Sequence, residues 1–160
     1  MSRTTFLRAV VSSLVAIVAL ASAAACGAAS PTTYSGRSAA ATLVLVGPTR
    51  KADAEVWDLS LRFTRAGAAA RRTVERLRDP ASPAADLFLF CLSDHGLAEA
   101  GVGASQLHGA TLTVHFVDLH KADRWICGLR DGRNPKDRVG ESRAAFVANA
   151  IIAATLTRRG

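Results

Sequence analysis

Residues 86–93 are DLFLFCLS, the most apolar short run beyond the N-terminal segment. In an extended chain successive side chains point to opposite faces, so Leu87, Leu89 and Cys91 share one face and Phe88, Phe90 and Leu92 the other. Both faces are apolar. A strand covered on both sides, at the centre of a sheet, suits such a segment. Asp94-His95-Gly96 ends it.

Further strands are expected on either side. Residues 110–119, ATLTVHFVDL, alternate, with Leu112, Val114 and Phe116 on one face. Residues 124–130 alternate again and bring Trp125, Cys127 and Leu129 together. Toward the N-terminus, residues 42–47 (TLVLVG) form a short β-branched run stopped by Gly47-Pro48. Trp57, Leu59, Leu61 and Phe63 alternate with Asp58, Ser60 and Arg62. A helix through residues 52–66 competes there, since Val56, Leu59 and Phe63 also fit a helical stripe; the period of two favours the strand.

Two helices complete the expectation. Residues 68–78 are rich in Ala and Arg, face Val74 and Leu77 one way, and stop at Asp79-Pro80. Residues 142–159 open on a capping-type Ser142 and carry Phe146, Val147, Ala150, Ile151 and Ala154 at helical spacing. That predicts a helix docked on the sheet, with a terminal strand over 151–157 as the alternative. Residues 99–108 hold Gly101 and Gly103 without an apolar period and read as loop, as do residues 131–140. The expected fold is α+β (or small α/β), a single sheet of three to five strands with two helices packed on it, in one domain over residues 42–160.

The first 25 residues read differently. Arg3 and Arg8 precede an apolar run from Ala9 to Ala21, and Ser22-Ala23-Ala24-Ala25 follows. Positive start, apolar middle and small-residue end are the pattern of a secretory signal peptide. The apolar run is shorter than the roughly 20 residues of a membrane span. Small residues at 23 and 25 fit a cut that releases Cys26. This segment resembles a bacterial lipoprotein signal, with Ala23 where that family usually has Leu. The resemblance implies lipid attachment at Cys26; simple cleavage nearby, leaving a free thiol, is the alternative. Residues 26–41, rich in Ala, Ser, Thr and Gly, read as a flexible tether. The expected location is therefore outside the cell interior, either lipid-anchored in the envelope or secreted or periplasmic.

The chain carries a formal charge of +7, and loss of residues 1–25, with two arginines and no acid, leaves +5. Arg65, Arg71, Arg72, Arg76 and Arg78 form a basic patch around the first helix. Such a patch can meet anionic headgroups. It lacks interleaved aromatics and reads as a solvated face, so no nucleic-acid partner is expected. Cys91 and Cys127, both inside apolar strands, are candidates for a disulfide in an oxidising compartment; two buried thiols are the alternative.

Residues 85–96, ADLFLFCLSDHG, resemble the strand that delivers His-Gly in caspase- and legumain-like cysteine peptidases. The resemblance implies that His95 is the catalytic histidine and Gly96 lets substrate approach. In that family the next strand ends in an acid followed by the nucleophilic Cys. Here it reads HFVDLHKA: Asp118 is in place and His120 stands where the Cys belongs, which leaves Cys127 as nucleophile. The four histidines, His95, His108, His115 and His120, lack the paired spacing of a zinc site, so no metal and no cofactor is expected. Neither a phosphate-binding glycine motif nor a Gly-x-Ser-x-Gly elbow is present. These features point to a small, non-enzymatic envelope protein, held to a membrane by its anchor and meeting an envelope protein through its sheet edge or basic helix. A divergent or degenerate cysteine hydrolase using His95 with Cys127 is the alternative.

Overall fold

A computed structural model describes residues 30–77, 87–117, 119–132 and 142–159. The signal segment, Cys26, Arg78 and Asp118 lie outside the described residues. Nine strands form one sheet: β1 (Thr32–Arg37), β2 (Ala41–Lys51), β3 (Ala54–Phe63), β4 (Leu87–Ser93), β5 (Gly96–Gly101), β6 (Gln106–His108), β7 (Thr111–Val117), β8 (Arg124–Asp131) and β9 (Ile152–Arg158). Their order across the sheet is β5-β4-β8-β9-β1-β2-β3-β7-β6. Every pairing is antiparallel. The sheet curls into a half-barrel, so that β5 at one edge comes against β7 near the other.

This corrects the expected α+β fold of three to five strands carrying two helices. The helices are small: α1 (Ala68–Leu77) and α2 (Arg143–Ala148). The curl supplies the second layer that helices were expected to provide. Its concave face folds over itself, and Tyr34, Leu43, Leu59, Leu61, Trp57 and Trp125 fill the interior with almost no exposure.

The additional strands come from segments whose composition disguised them. β1 lies inside the expected tether, yet it is the middle strand of the sheet, paired with β2 and β9. Its inward side chains are Thr32 and Tyr34, and at Gly36 any Cβ would collide with the Thr155 carbonyl of β9. A glycine there permits close strand packing and removes the apolar signal at once. β5 and β6 come from the glycine-containing segment read as loop; as edge strands they need only partial burial. In the C-terminal segment the helix stops at Ala148, and β9 follows with Ile152, Ala154 and Leu156 turned inward.

The three alternating segments and the β-branched run of residues 42–47 are strands where expected, as β3, β7, β8 and β2. β4 is buried on both faces as its sequence demands, although it is one strand in from the edge and not central. Inside, Leu87, Leu89 and Cys91 join the core. Outside, Phe90 is covered by α2, whose Phe146 meets it edge to face with centroids 5.0 Å apart. The buried Arg130 of β8 lies over the same Phe146 ring at 4.2 Å. Ser142 caps α2, its side chain accepting from the Ala145 amide.

The strand registers define two ends of the half-barrel. One gathers the start of β1, the β2–β3 turn, the end of β7, the start of β8, the β4–β5 turn and the end of β9. At the opposite end β3 runs into α1, and Val74 of α1 is buried near Val102 from the single helical turn Val102–Ala104.

Candidate functional site

Where the curled sheet fails to close, the start of β5 faces the end of β7 across a cleft of about 190 Å³. The β4–β5 turn contributes Ser93, His95 and Leu97. The end of β7 and the segment after it contribute Val117, Leu119 and His120, and Trp125 of β8 forms part of the wall. Leu97 and Val117 are 45% and 55% exposed, against the nearly complete burial of the core aliphatics. The cleft thus has a mixed lining, with the apolar side chains of Leu97, Val117, Leu119 and Trp125 beside Ser93 and two exposed imidazoles.

The cleft arises from strand geometry. Ser93 is the last residue of β4 and is buried, and its hydroxyl accepts the His95 amide hydrogen at 3.2 Å. Gly96 takes φ 144°, a conformation L side chains rarely adopt, which lets the chain reverse into β5. β6 pairs with only three residues of β7, so the last part of β7 has no partner strand on that side among the described residues.

Of the residues expected from the peptidase resemblance, His95 lines this cleft, as does His120, which stands where the resemblance wants the Cys. Cys127 does not. It is fully buried within β8 and forms a disulfide with Cys91, its register partner on β4. At about 3.3 Å per strand residue, Ser93 is roughly 7 Å along the strand from Cys91, and His95 lies beyond it. The imidazole sits at the end of the barrel, the sulfur within its wall, and that sulfur is no thiolate.

The remaining histidines are dispersed. His108 is exposed on β6. His115 on β7 is opposite Asp58 on β3, with Nδ1 and Oδ1 2.5 Å apart, on the outer face of the sheet. Lys51 Nζ approaches the same carboxylate at 4.0 Å. The Asp58–His115 pair escaped the sequence reading because nothing local joins two residues 57 positions apart. Among the described residues no group of three or more His, Cys, Asp or Glu side chains is placed to hold a metal ion.

The expected basic patch is split by its surroundings. Arg71 donates from Nε to Glu75 at 2.8 Å, while Arg65, Arg72 and Arg76 are exposed. The patch lies at the α1 end, away from the start of β1 and from the cleft. Among the described residues no helix is long and apolar enough to cross a membrane.

Tyr34, the sole tyrosine, is a further buried polar group at the cleft end. Its hydroxyl donates to the Ala122 carbonyl at 2.7 Å and thereby fixes the segment between β7 and β8. Burial pushes its pKa above the ordinary value of 10.0; nearby Arg158 opposes the shift and Asp123 adds to it. The Trp125 indole N–H also lowers it slightly, near the hydroxyl but short of full hydrogen-bond geometry.

Compared with known proteins, the chain matches no family model, no curated protein and no solved structure.

Proposed function

We propose that this chain is a small exported protein of the cell envelope, lipid-anchored through Cys26, which works by surface contact and not by covalent chemistry. The observation that carries the reading is the Cys91–Cys127 disulfide at the heart of the sheet. Such bonds persist in oxidising compartments and are rare where glutathione and thioredoxin keep thiols reduced. The basic, apolar, small-residue order of residues 1–25 gives the route, and Cys26 the attachment point.

The same disulfide weighs against the cysteine-hydrolase alternative. That mechanism requires a thiolate beside His95, and the Cys127 sulfur is committed to Cys91. What the cleft offers is recognition: a mixed apolar and polar lining with two imidazoles, and a stretch of β7 beside it that lacks a partner strand on that side among the described residues. These features suit contact with another protein or with a surface.

Two measurements test the reading. Metabolic palmitate labelling is expected to tag the wild-type chain and not Cys26→Ala, and the mature protein is expected to begin at Cys26 with added lipid mass. An unlabelled wild type, or a mature protein beginning elsewhere, overturns the anchor. Peptide mapping without reductant is expected to return a linked Cys91–Cys127 peptide; free thiols at both positions would restore the hydrolase.

A further inference from the structure

From the way the start of β1 is placed, we infer that the cleft end of the half-barrel is a membrane-docking face, whose partner is a bilayer surface bearing anionic phospholipid headgroups. The inference rests on the lipid-anchor reading above and adds which surface the anchored domain turns toward the bilayer.

The first argument is reach. A composition-based tether over residues 26–41 would let the domain tumble freely, but β1 claims its second half. Only residues 27–31 separate Cys26 from the sheet. Even fully extended, at about 3.5 Å per residue, they span less than roughly 20 Å. β3 alone, ten residues long, measures about 33 Å at strand rise. A domain anchored at Cys26 therefore cannot stand on its α1 end. It meets the bilayer with the end where β1 begins, or lies on its side with that end down.

The second argument is what that end displays. Leu97 and Val117, two of the most exposed large apolar side chains among the described residues, both belong to it and border the same cleft. Ile151, the other strongly exposed one, is at the far end. The same end of the half-barrel carries Arg50, Lys51, Lys121, Arg124, Arg158 and Arg159, all exposed. The exposed acids of this end are Asp53, Glu55, Asp123 and Asp94, the last paired with Arg143 at 3.3 Å, and the partly exposed Asp58 stands 4.0 Å from Lys51. Cations prevail among the described residues. An end that carries exposed apolar tips and an excess of Lys and Arg matches an interface in which aliphatic groups enter the acyl boundary and cations meet phosphate.

The α1 patch is also cationic, so charge by itself does not choose between the ends. Placement does. With the anchored end on the bilayer and the barrel upright, Arg72 and Arg76 stand several Debye lengths from the headgroups, where their attraction is screened. The cleft-end cations sit at the surface.

Flotation with vesicles tests the face. The chain beginning at Gly27 keeps every described element and removes the anchor, so any binding reports the protein surface alone. It is expected to float with phosphatidylcholine vesicles containing about a third phosphatidylglycerol, to release as salt rises, and to ignore pure phosphatidylcholine. Lys121→Glu/Arg124→Glu/Arg158→Glu is expected to weaken binding on the order of a hundredfold. Arg65→Glu/Arg72→Glu/Arg76→Glu is expected to leave it within about twofold, because the exposed apolar pair Leu97 and Val117 that would enter the acyl boundary belongs to the cleft end. The neutral Lys121→Gln/Arg124→Gln pair, with the disulfide verified by mass, separates lost charge from lost fold and is expected to fall between. Absence of binding to anionic vesicles, or a loss confined to the α1 triple, overturns the docking face. The palmitate experiment is independent: a labelled wild type together with a Gly27 chain that does not float removes the face and leaves the anchor, whereas an unlabelled wild type removes the anchor and with it the basis for the face.

Discussion

Cys91 on β4 and Cys127 on β8 are directly opposed across neighbouring strands, with Cα atoms 4.1 Å apart and their sulfurs joined. Both are fully buried, and the bond ties together strands 36 positions apart in sequence. Closing a loop of that length removes entropy from the unfolded chain worth about 3–4 kcal/mol. Cys91→Ala/Cys127→Ala is therefore expected to lose stability of that order in urea unfolding. Adding reductant to the wild type should reproduce the loss, and should leave the double variant unmoved.

The chain's single tyrosine allows a second test without ambiguity of assignment. Tyr34 is raised above 10.0 in the folded protein, chiefly by burial. The folded state thus holds its proton where the unfolded chain begins to release it. The stabilisation is complete below pH 10 and is lost as pH rises through the folded pKa. Ultraviolet titration of the phenol is expected to show a midpoint above 10, and urea midpoints to decline more steeply above pH 10 in wild type than in Tyr34→Phe. At neutral pH, Tyr34→Phe abandons the buried Ala122 carbonyl and should cost about 1–2 kcal/mol.

The cross-strand pair Asp58–His115 invites a larger claim than its setting supports. The side chains are 35% and 46% exposed, so solvent screens their attraction. A double-mutant cycle with Asp58→Asn and His115→Gln is expected to give a coupling below about 1 kcal/mol that shrinks with salt. A much larger or salt-independent value would mean that the pair is held by more than its own contact.

What could be read from residues alone follows from how each strand is used. β3, β7 and β8 turn their large apolar side chains to one face, and the alternation is plain in Trp57 to Phe63, in Leu112 to Phe116 and in Trp125 to Leu129, while β2 is marked by its short β-branched run. β4 buries two faces, and its double apolar run says so, though it does not say that a six-residue helix supplies the outer cover. β1 was hidden by its own packing: where neighbouring backbone presses closest, the sequence must offer Gly36, and composition reads the result as a linker. The terminal strand was masked because Ile151 and Ala154 fit a helical stripe as well as an alternating one. The cleft was half visible. His95 announced itself at the end of a buried strand, but its neighbours Val117, Leu119 and His120 arrive only through the curl, which no local pattern records.

The cover that α2 provides leads to a further prediction. Phe146 lies against the fully buried Phe90 and under the Arg130 guanidinium, so one ring shields an apolar and a charged group together. Phe146→Ala should cost about 2–3 kcal/mol, and Phe146→Leu, which restores bulk without the π face, about 1 kcal/mol. Hydrogen exchange is expected to quicken at α2 and along the outer side of β4 in the Ala variant, while β1 to β3 keep their protection.

The strongest constraint on any account of the N-terminal region is that β1 is the sheet's middle strand. Tyr34 and Thr32 face inward, Thr33 accepts the Arg159 amide hydrogen from the segment after β9, and six register pairs join β1 to β2. A chain that begins at Ser30 keeps all of this, whereas one that begins at Ser38 splits the sheet between β9 and β2 and opens the aromatic cluster of Tyr34, Trp57 and Trp125. The first is expected to unfold cooperatively in urea with a midpoint close to that of a chain starting at Gly27. The second is expected to lack a cooperative transition and to bind hydrophobic dye. Gly36→Val, a single change within the same strand, presses a branched side chain against the Thr155 carbonyl and should move the full chain in the same direction. If the Ser38 chain instead unfolded as cooperatively as the Ser30 chain, residues 30–37 would be an appendage, and the short reach from Cys26 to the sheet would lose its meaning.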